Sequence, residues 1–285
     1  RGLTLPPFES TRIQAAGMVV SDYSERYSHF AAVRSLGQWL KAEGVPAITG
    51  VDTRALTQEL RRAGTMPAVI SFSGRPDAPP HPNTDHLVQH VTVRRPTVYR
   101  GGQRRVVLID CGVKLSIIRC LLERNLTIIR VPADYDLGRL THRYHGVVVS
   151  NGPGDPKRCR ATIAQLKRLI AARIPTLGIC LGIQLMALAA GGNTYKMKFG
   201  HRGQNQPCLL SGTPRCYLTS QNHGYAVRPK LPHGWRPWFT NANDGTIEGI
   251  RHRRYPMIAV QFHPEANPGP ADTGFIFDEF ITRLR

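Results

Sequence analysis

The sequence predicts an α/β protein: a doubly wound, mostly parallel sheet over residues 101–285, preceded by a smaller amino-terminal α+β domain over residues 1–100. Three observations carry this. From Arg105 onward, short apolar runs alternate with stretches of helical period, as in a parallel sheet covered on both faces. Residues 74–83 are dense in proline and polar side chains, and a basic stretch over 94–105 follows, which reads as a linker with the boundary near residue 100. A glycine-flanked cysteine, Cys180, directly follows one apolar run.

In the first domain, Ala32, Val33, Leu36, Trp39 and Leu40 recur at helical spacing and predict a helix over 29–43 that Gly44 stops. Asp52 is placed to cap a short helix over 54–60 that ends near Gly64, and 66–72 reads as a strand. In the second domain, strands are expected at 106–109, 126–131, 146–150, 175–179 and 257–262. Helices are expected at 114–124, 161–172, 184–190 and 273–284. Residues 194–227 break into shorter β-like pieces at Gly and Pro, in the manner of an antiparallel insertion.

Composition narrows the function. The chain of 285 residues carries a net charge of +19, but its arginine pairs, such as Arg61-Arg62 and Arg253-Arg254, never build into a run. No aromatic-rich RNA-binding motif accompanies them, so no nucleic-acid partner is expected and the surface suits an acidic partner instead. No apolar run approaches the roughly 18 residues of a membrane span, and no membrane partner is expected. The six cysteines show no C-x-x-C pairing, which fits reduced thiols and a cytoplasmic setting, with a mitochondrial one left open.

The chemistry centres on Thr176-Leu177-Gly178-Ile179-Cys180-Leu181-Gly182-Ile183-Gln184. An apolar strand, a glycine-flanked cysteine and a helix start make a nucleophile elbow, in which small residues keep the turn clear of its neighbours. A free thiol has a pKa of about 8.5, so nucleophilic catalysis at neutral pH needs a base within reach. His263 ends the apolar strand 257–262, on the carboxyl edge where the elbow lies. Pro264 keeps the chain extended, so Glu265 projects to the side of His263 and can orient its ring: a Cys–His–Glu relay. Acyl transfer also needs oxyanion donors, for which the Leu181 N–H and the glycine-rich loop Ser150-Asn151-Gly152-Pro153-Gly154-Asp155-Pro156 are candidates. No G-x-x-x-x-G-K-[ST] and no metal-ligand cluster is read in the sequence, so no cofactor and no metal are expected in this chain.

The G-I-C-L-G-x-Q elbow, the S-N-G-P-G-D-P loop and H-P-E together resemble the class I glutamine amidotransferases, whose fold is flavodoxin-like. Asp52-Thr53-Arg54, Asp110 to Lys114, Arg202 to Pro207 and Gln221 to Ala226 are similar to the glutaminase part of carbamoyl-phosphate synthetases, closest to the animal multifunctional pyrimidine-pathway enzymes. The resemblance implies Cys180 as the nucleophile, His263 as base then acid, and Glu265 as its orienting partner. It implies oxyanion donation by Gly152 and Leu181, and a glutamine site formed by these with Gly154, Gln184, Asn222, Gly224 and Tyr225. It further implies L-glutamine as substrate, and ammonia passed to a synthetase subunit or fused synthetase domain that holds ATP and metal.

Two departures bear on this. Ile183 stands where the carbamoyl-phosphate relatives usually carry His, and is read as tuning. The chain starts at Arg1, partway into the family's amino-terminal domain, which makes that domain incomplete by this reading. A catalytically degenerate domain with a regulatory or assembly role is the alternative these departures motivate. A relative serving GMP, CTP or anthranilate synthesis is disfavoured by residues 52–60 and 202–207.

Overall fold

The structure is a computed structural model that describes residues 5, 8–29, 32–74 and 86–284. It divides into two compact units, Ser10–Pro82 and Arg1–Glu9 with Asn83–Arg285. The sequence-based boundary near residue 100 therefore moves to residue 82, because Thr97–Tyr99 is a strand of the main sheet rather than linker. The proline-rich linker stretch lies, Gly74 apart, outside the described residues.

The smaller unit contains β1 (Met18–Val19), α1 (Leu36–Ala42), β2 (Ala47–Ile48) and α2 (Thr53–Ala63), with β1 and β2 parallel. Helix α1 starts later than the periodicity predicts. Ser35 forms a reciprocal capping box with Gln38, which fixes the first turn there and leaves Val33 outside it, 81% exposed. Asp52 caps α2 as expected, accepting from the Ala55 N–H at 2.8 Å. Residues 66–72 form no strand, since nothing among the described residues pairs with them.

The larger unit runs α3 (Val88–Val91), β3 (Thr97–Tyr99), β4 (Arg105–Asp110), α4 (Leu115–Glu123), β5 (Thr127–Pro132), β6 (Gly146–Val149), α5 (Arg160–Ala171), β7 (Thr176–Ile179) and α6 (Leu181–Ala189). It continues with β8 (Thr194–Leu210), β9 (Cys216–Val227), β10 (Trp235–Asn241), β11 (Ile247–His252), β12 (Met257–Val260) and α7 (Phe275–Ile281). Among the described residues these strands make one sheet in the order β10-β8-β9-β11-β12-β7-β6-β4-β5-β3. Its centre, β5-β4-β6-β7-β12, is parallel throughout and has the 2-1-3-4-5 order of a flavodoxin-like sheet. The antiparallel flank β8–β11 is longer than the fragments the sequence suggests; two interruptions in the β8–β9 register fall beside Gly200 and Gly203, while Pro207 keeps its place opposite Leu218.

The parallel strands are apolar on both faces because both are covered. Val107, Ile109, Val147 and Val149 pack with Leu166, Leu185 and Met186 of α5 and α6. Val106, Leu108, Val148 and Ile179 pack with Ile117, Leu121, Phe277 and Phe280 of α4 and α7. Strand order reverses between β4 and β6, so the loops after Asp110 and Val149 open a crevice at the carboxyl edge, where such sheets bind ligands.

Candidate active site

Cys180 is the hinge between β7 and α6, with φ 53° and ψ −100°, a backbone conformation few side chains adopt. The surroundings hold it there. Its N–H donates to Val260 O at 2.8 Å, and the flanking glycines admit no β-carbon. A Cβ on Gly182 would stand 2.4 Å from Val149 O, and one on Gly178 2.7 Å from Gly182 C. The side chain emerges at the amino end of α6 and is buried.

His263 follows β12, and its N–H donates to Ser220 O of β9 at 2.9 Å. Its Nδ1 lies 2.6 Å from Glu265 Oε1, which leaves Nε2 to meet the Cys180 side chain in a hydrogen bond. Burial alone would lower the pKa of His263. The charges of Glu265 and Cys180 and its hydrogen bonds to both overcome that and raise it to about 10. Burial would likewise raise that of Glu265. The His263 charge and hydrogen bond, helped by Lys114, hold it below the ordinary carboxylate range. The three predicted residues thus meet at one rim of the parallel sheet.

Lys114 was not among the sequence-predicted site residues. Its Nζ lies 3.1 Å from Glu265 Oε1 and donates to Ala266 O at 2.6 Å. Only its place in Asp110-Cys111-Gly112-Val113-Lys114 marked it, and no spacing rule links position 114 to 265.

The loop after β6 reaches the elbow through Gly152, where a Cβ would stand 2.2 Å from Cys111 O and 2.8 Å from Leu181 Cδ2. Only glycine fits, so this backbone lies against the first turn of α6. Ser150 Oγ accepts from the Cys111 N–H at 2.9 Å, and Asn151 Oδ1 from the Lys114 N–H at 3.0 Å. Beneath them Asp110, fully buried, accepts from the backbone N–H groups of Val93, Gly112 and Val113 and from Nε and Nη2 of Arg130. Gly154 takes φ 86°, turning the loop toward Asp155.

Of the remaining predicted residues, Gln184 is buried, and its Nε2 donates to Tyr225 O at 2.8 Å and Gln261 Oε1 at 3.1 Å. It ties α6 to β9 and to the end of β12. Burial raises the pKa of the Tyr225 phenol, and the charge of Asp155 adds to this. Asn222 and Gly224 share one face of β9 while Gln221 and His223 take the other. One feature was unexpected: His201, His223 and Glu248 gather on three strands with ligand atoms within 4.8 Å of one another.

A buried cysteine at a strand-to-helix elbow, an imidazole held by a buried carboxylate, and a glycine loop against the first turn of α6 make an arrangement able to support acyl transfer. The family model for glutamine amidotransferase class-I matches residues 107–283. The chain belongs to the class I glutamine amidotransferases. A second model, carbamoyl-phosphate synthase small chain, CPSase domain, matches residues 1–70. The chain is 47% identical, over 98% of its length, to the carbamoyl phosphate synthase arginine-specific small chain of Aspergillus clavatus, of which it spans 63%. It is 45% identical over 98% of its length to multifunctional protein CAD of Squalus acanthias, of which it spans 13%. It is also 44% identical over 96% of its length to multifunctional protein ura1 of Schizosaccharomyces pombe, of which it spans 14%.

Among solved structures, a Thermoplasma acidophilum protein named for GMP synthase matches 63% of this chain and 92% of its own, with TM-score 0.55 and 25% identity. A glutamine amido transferase from Methylobacillus flagellatus, at 13% identity and TM-score 0.51, shares the fold over 65% of this chain and 96% of its own. Within this class I amidotransferase, Ile183 is fully buried and packs in the apolar layer of α5 and α6. Its side chain belongs to the core under the elbow.

Proposed function

We propose that the chain hydrolyses L-glutamine through a cysteine thioester and delivers the ammonia to a carbamoyl-phosphate synthetase partner. The observation that carries the reading is the hydrogen-bonded series Cys180–His263–Glu265 at a strained elbow. The matches to small chains and to fused multifunctional proteins support the choice of partner.

In this reading the Cys180 sulfur attacks the carboxamide carbon of glutamine, and a C–S bond forms. The Leu181 and Gly152 N–H groups receive the oxyanion, each such donor contributing roughly 3–4 kcal/mol in comparable enzymes. His263, protonated between sulfur and Glu265, gives its proton to the departing nitrogen. The C–N bond breaks and ammonia leaves. The neutral ring then takes a proton from water, whose oxygen attacks the thioester; glutamate departs and the thiolate–imidazolium pair returns. Gln184, Asn222, Gly224 and Tyr225, with Gly154 turning the loop, line the glutamine site. ATP and metal belong to the partner, which joins ammonia to bicarbonate.

The test is glutamate release and thioester trapping by the purified chain, alone and with a synthetase partner. Cys180→Ser is expected to remove both while the circular dichroism spectrum and melting temperature hold. Turnover retained by Cys180→Ser, or none by the unaltered chain with its partner, overturns the reading.

A further inference from the structure

We propose that His201, His223 and Glu248 form a binding site for one zinc-class dication. His201 and His223 are directly opposed across the β8–β9 ladder, with rings edge to face at 4.9 Å, and Glu248 projects from β11. His201 Nδ1 is 3.0 Å from Glu248 Oε1, and His223 Nε2 is 3.9 Å from the same oxygen.

The outer contacts of the two histidines point to a cation. His201 Nε2 faces Asp244 Oδ2 at 2.9 Å, and His223 Nδ1 faces the Tyr225 carbonyl at 2.9 Å. Each ring thus spends one N–H on a carboxylate or carbonyl, the arrangement that orients metal-binding imidazoles and fixes their tautomer. Without an ion the Nδ1 of His201 also carries a proton toward Glu248 Oε1 at 3.0 Å, which a bound cation would displace. What then converges is a set of acceptors: His201 Nδ1, His223 Nε2 and the Glu248 carboxylate, with Gln221 Oε1 3.0 Å from His223 Nε2.

Glu248 supplies an independent observation. Its side chain is fully buried, and although Asn241 lies against the carboxylate, Oε2 has no hydrogen-bond partner. A buried carboxylate oxygen left unpaired is strongly unfavourable unless a positive group meets it. Two imidazoles and one carboxylate, with the Gln221 amide oxygen beside them, suit zinc. Calcium and magnesium prefer all-oxygen shells, and copper(I) prefers sulfur. Asp244, 44% exposed, marks the side from which an ion enters. A bound ion would tie β8, β9 and β11 together behind Asn222 and Gly224. That consequence rests on the proposed function; the site itself does not.

The experiment uses the whole chain, stripped with a chelator and titrated with cobalt(II), read by the visible d–d absorption of a tetrahedral site and by retained metal after gel filtration. One equivalent is expected, without the near-ultraviolet band of a cobalt–thiolate bond, and zinc should raise the melting temperature. Glu248→Gln is expected to abolish the spectrum. Should that variant not fold, Asp244→Asn at the exposed outer contact is expected to weaken cobalt about 10–100-fold. A folded, stripped chain that shows no tetrahedral band overturns the proposal and leaves His201 as an imidazolium held between two carboxylates. A band that persists in Glu248→Gln, that Asp244→Asn binds as tightly as the unaltered chain, or that carries thiolate character and disappears with Cys216→Ser overturns it equally. None of these readouts depends on glutamine hydrolysis, so the two readings fail separately.

Discussion

His263 and Glu265 stabilise each other's charged forms from opposite ends of the pH scale. Glu265 is held below its reference value of 4.5, so its contribution is complete above 4.5 and is lost as pH falls through the lowered value. His263 is raised from 6.5 to about 10, so its contribution is complete below 6.5 and declines as pH rises toward 10. The stability gap between the unaltered chain and Glu265→Gln, measured by denaturant midpoints, should therefore be widest between pH 4.5 and 6.5 and narrow on both sides. A gap that does not change with pH would mean that the carboxylate serves packing alone. Ile183 gives a second case. Its side chain sits in an apolar layer, so Ile183→His should lower stability by about 1–3 kcal/mol through a buried imidazole without a partner, and should not raise glutamine turnover. Faster turnover at unchanged stability would show that this position limits the chemistry.

At the scale of elements, the strand–elbow–helix unit was legible because its requirements are local. Small residues at 178 and 182, an apolar strand before and a helix after leave few other conformations. The closest approach is at Gly182, so Gly182→Ala should push α6 off Val149 and cost about 1–3 kcal/mol of overpacking. Thermal melting would read that cost, and thioester trapping would read the displaced sulfur. An unshifted melt with full trapping would show that the turn has slack. One local signal was overlooked, the Ser35–Gln38 capping box, and the rest of what the sequence did not reveal is non-local. The late start of α1 follows from Ser35 outcompeting a weak apolar period, and residues 66–72 have strand composition without a strand to pair with. Lys114 and Glu265 meet only because β4 and β12 both end at the carboxyl edge. His201, His223 and Glu248 come together through the β8–β9–β11 register, which no spacing pattern encodes.

Over the whole molecule, the excess of 38 basic over 19 acidic residues sets long-range behaviour that neither the triad nor the fold requires. Five of these basic residues gather beyond the amino ends of the parallel strands, where Arg236, Arg251, Arg253, Arg254 and Arg283 with His252 line a cavity of about 340 Å³. Glu279 pairs with Arg283 and also acts on Arg251, yet burial and then the charges of Arg236 and Arg283 leave the pKa of Arg251 lowered. Cys180 and His263 lie past the carboxyl ends of β7 and β12, so this cationic concentration is at the opposite edge from them. Such a field raises encounter rates with acidic surfaces without specifying a sequence, and salt screens it over a Debye length of about 10 Å at 0.1 M. Retention on a sulfated polysaccharide matrix should accordingly be lost at moderate salt. Arg253→Gln with Arg254→Gln should lower the eluting salt more than Arg61→Gln with Arg62→Gln, since the latter pair lies on α2 and lines no such cavity. Glutamine turnover should be the same in both. Equal elution shifts would mean that the charge acts as a diffuse total, with no focus at the arginine-lined edge.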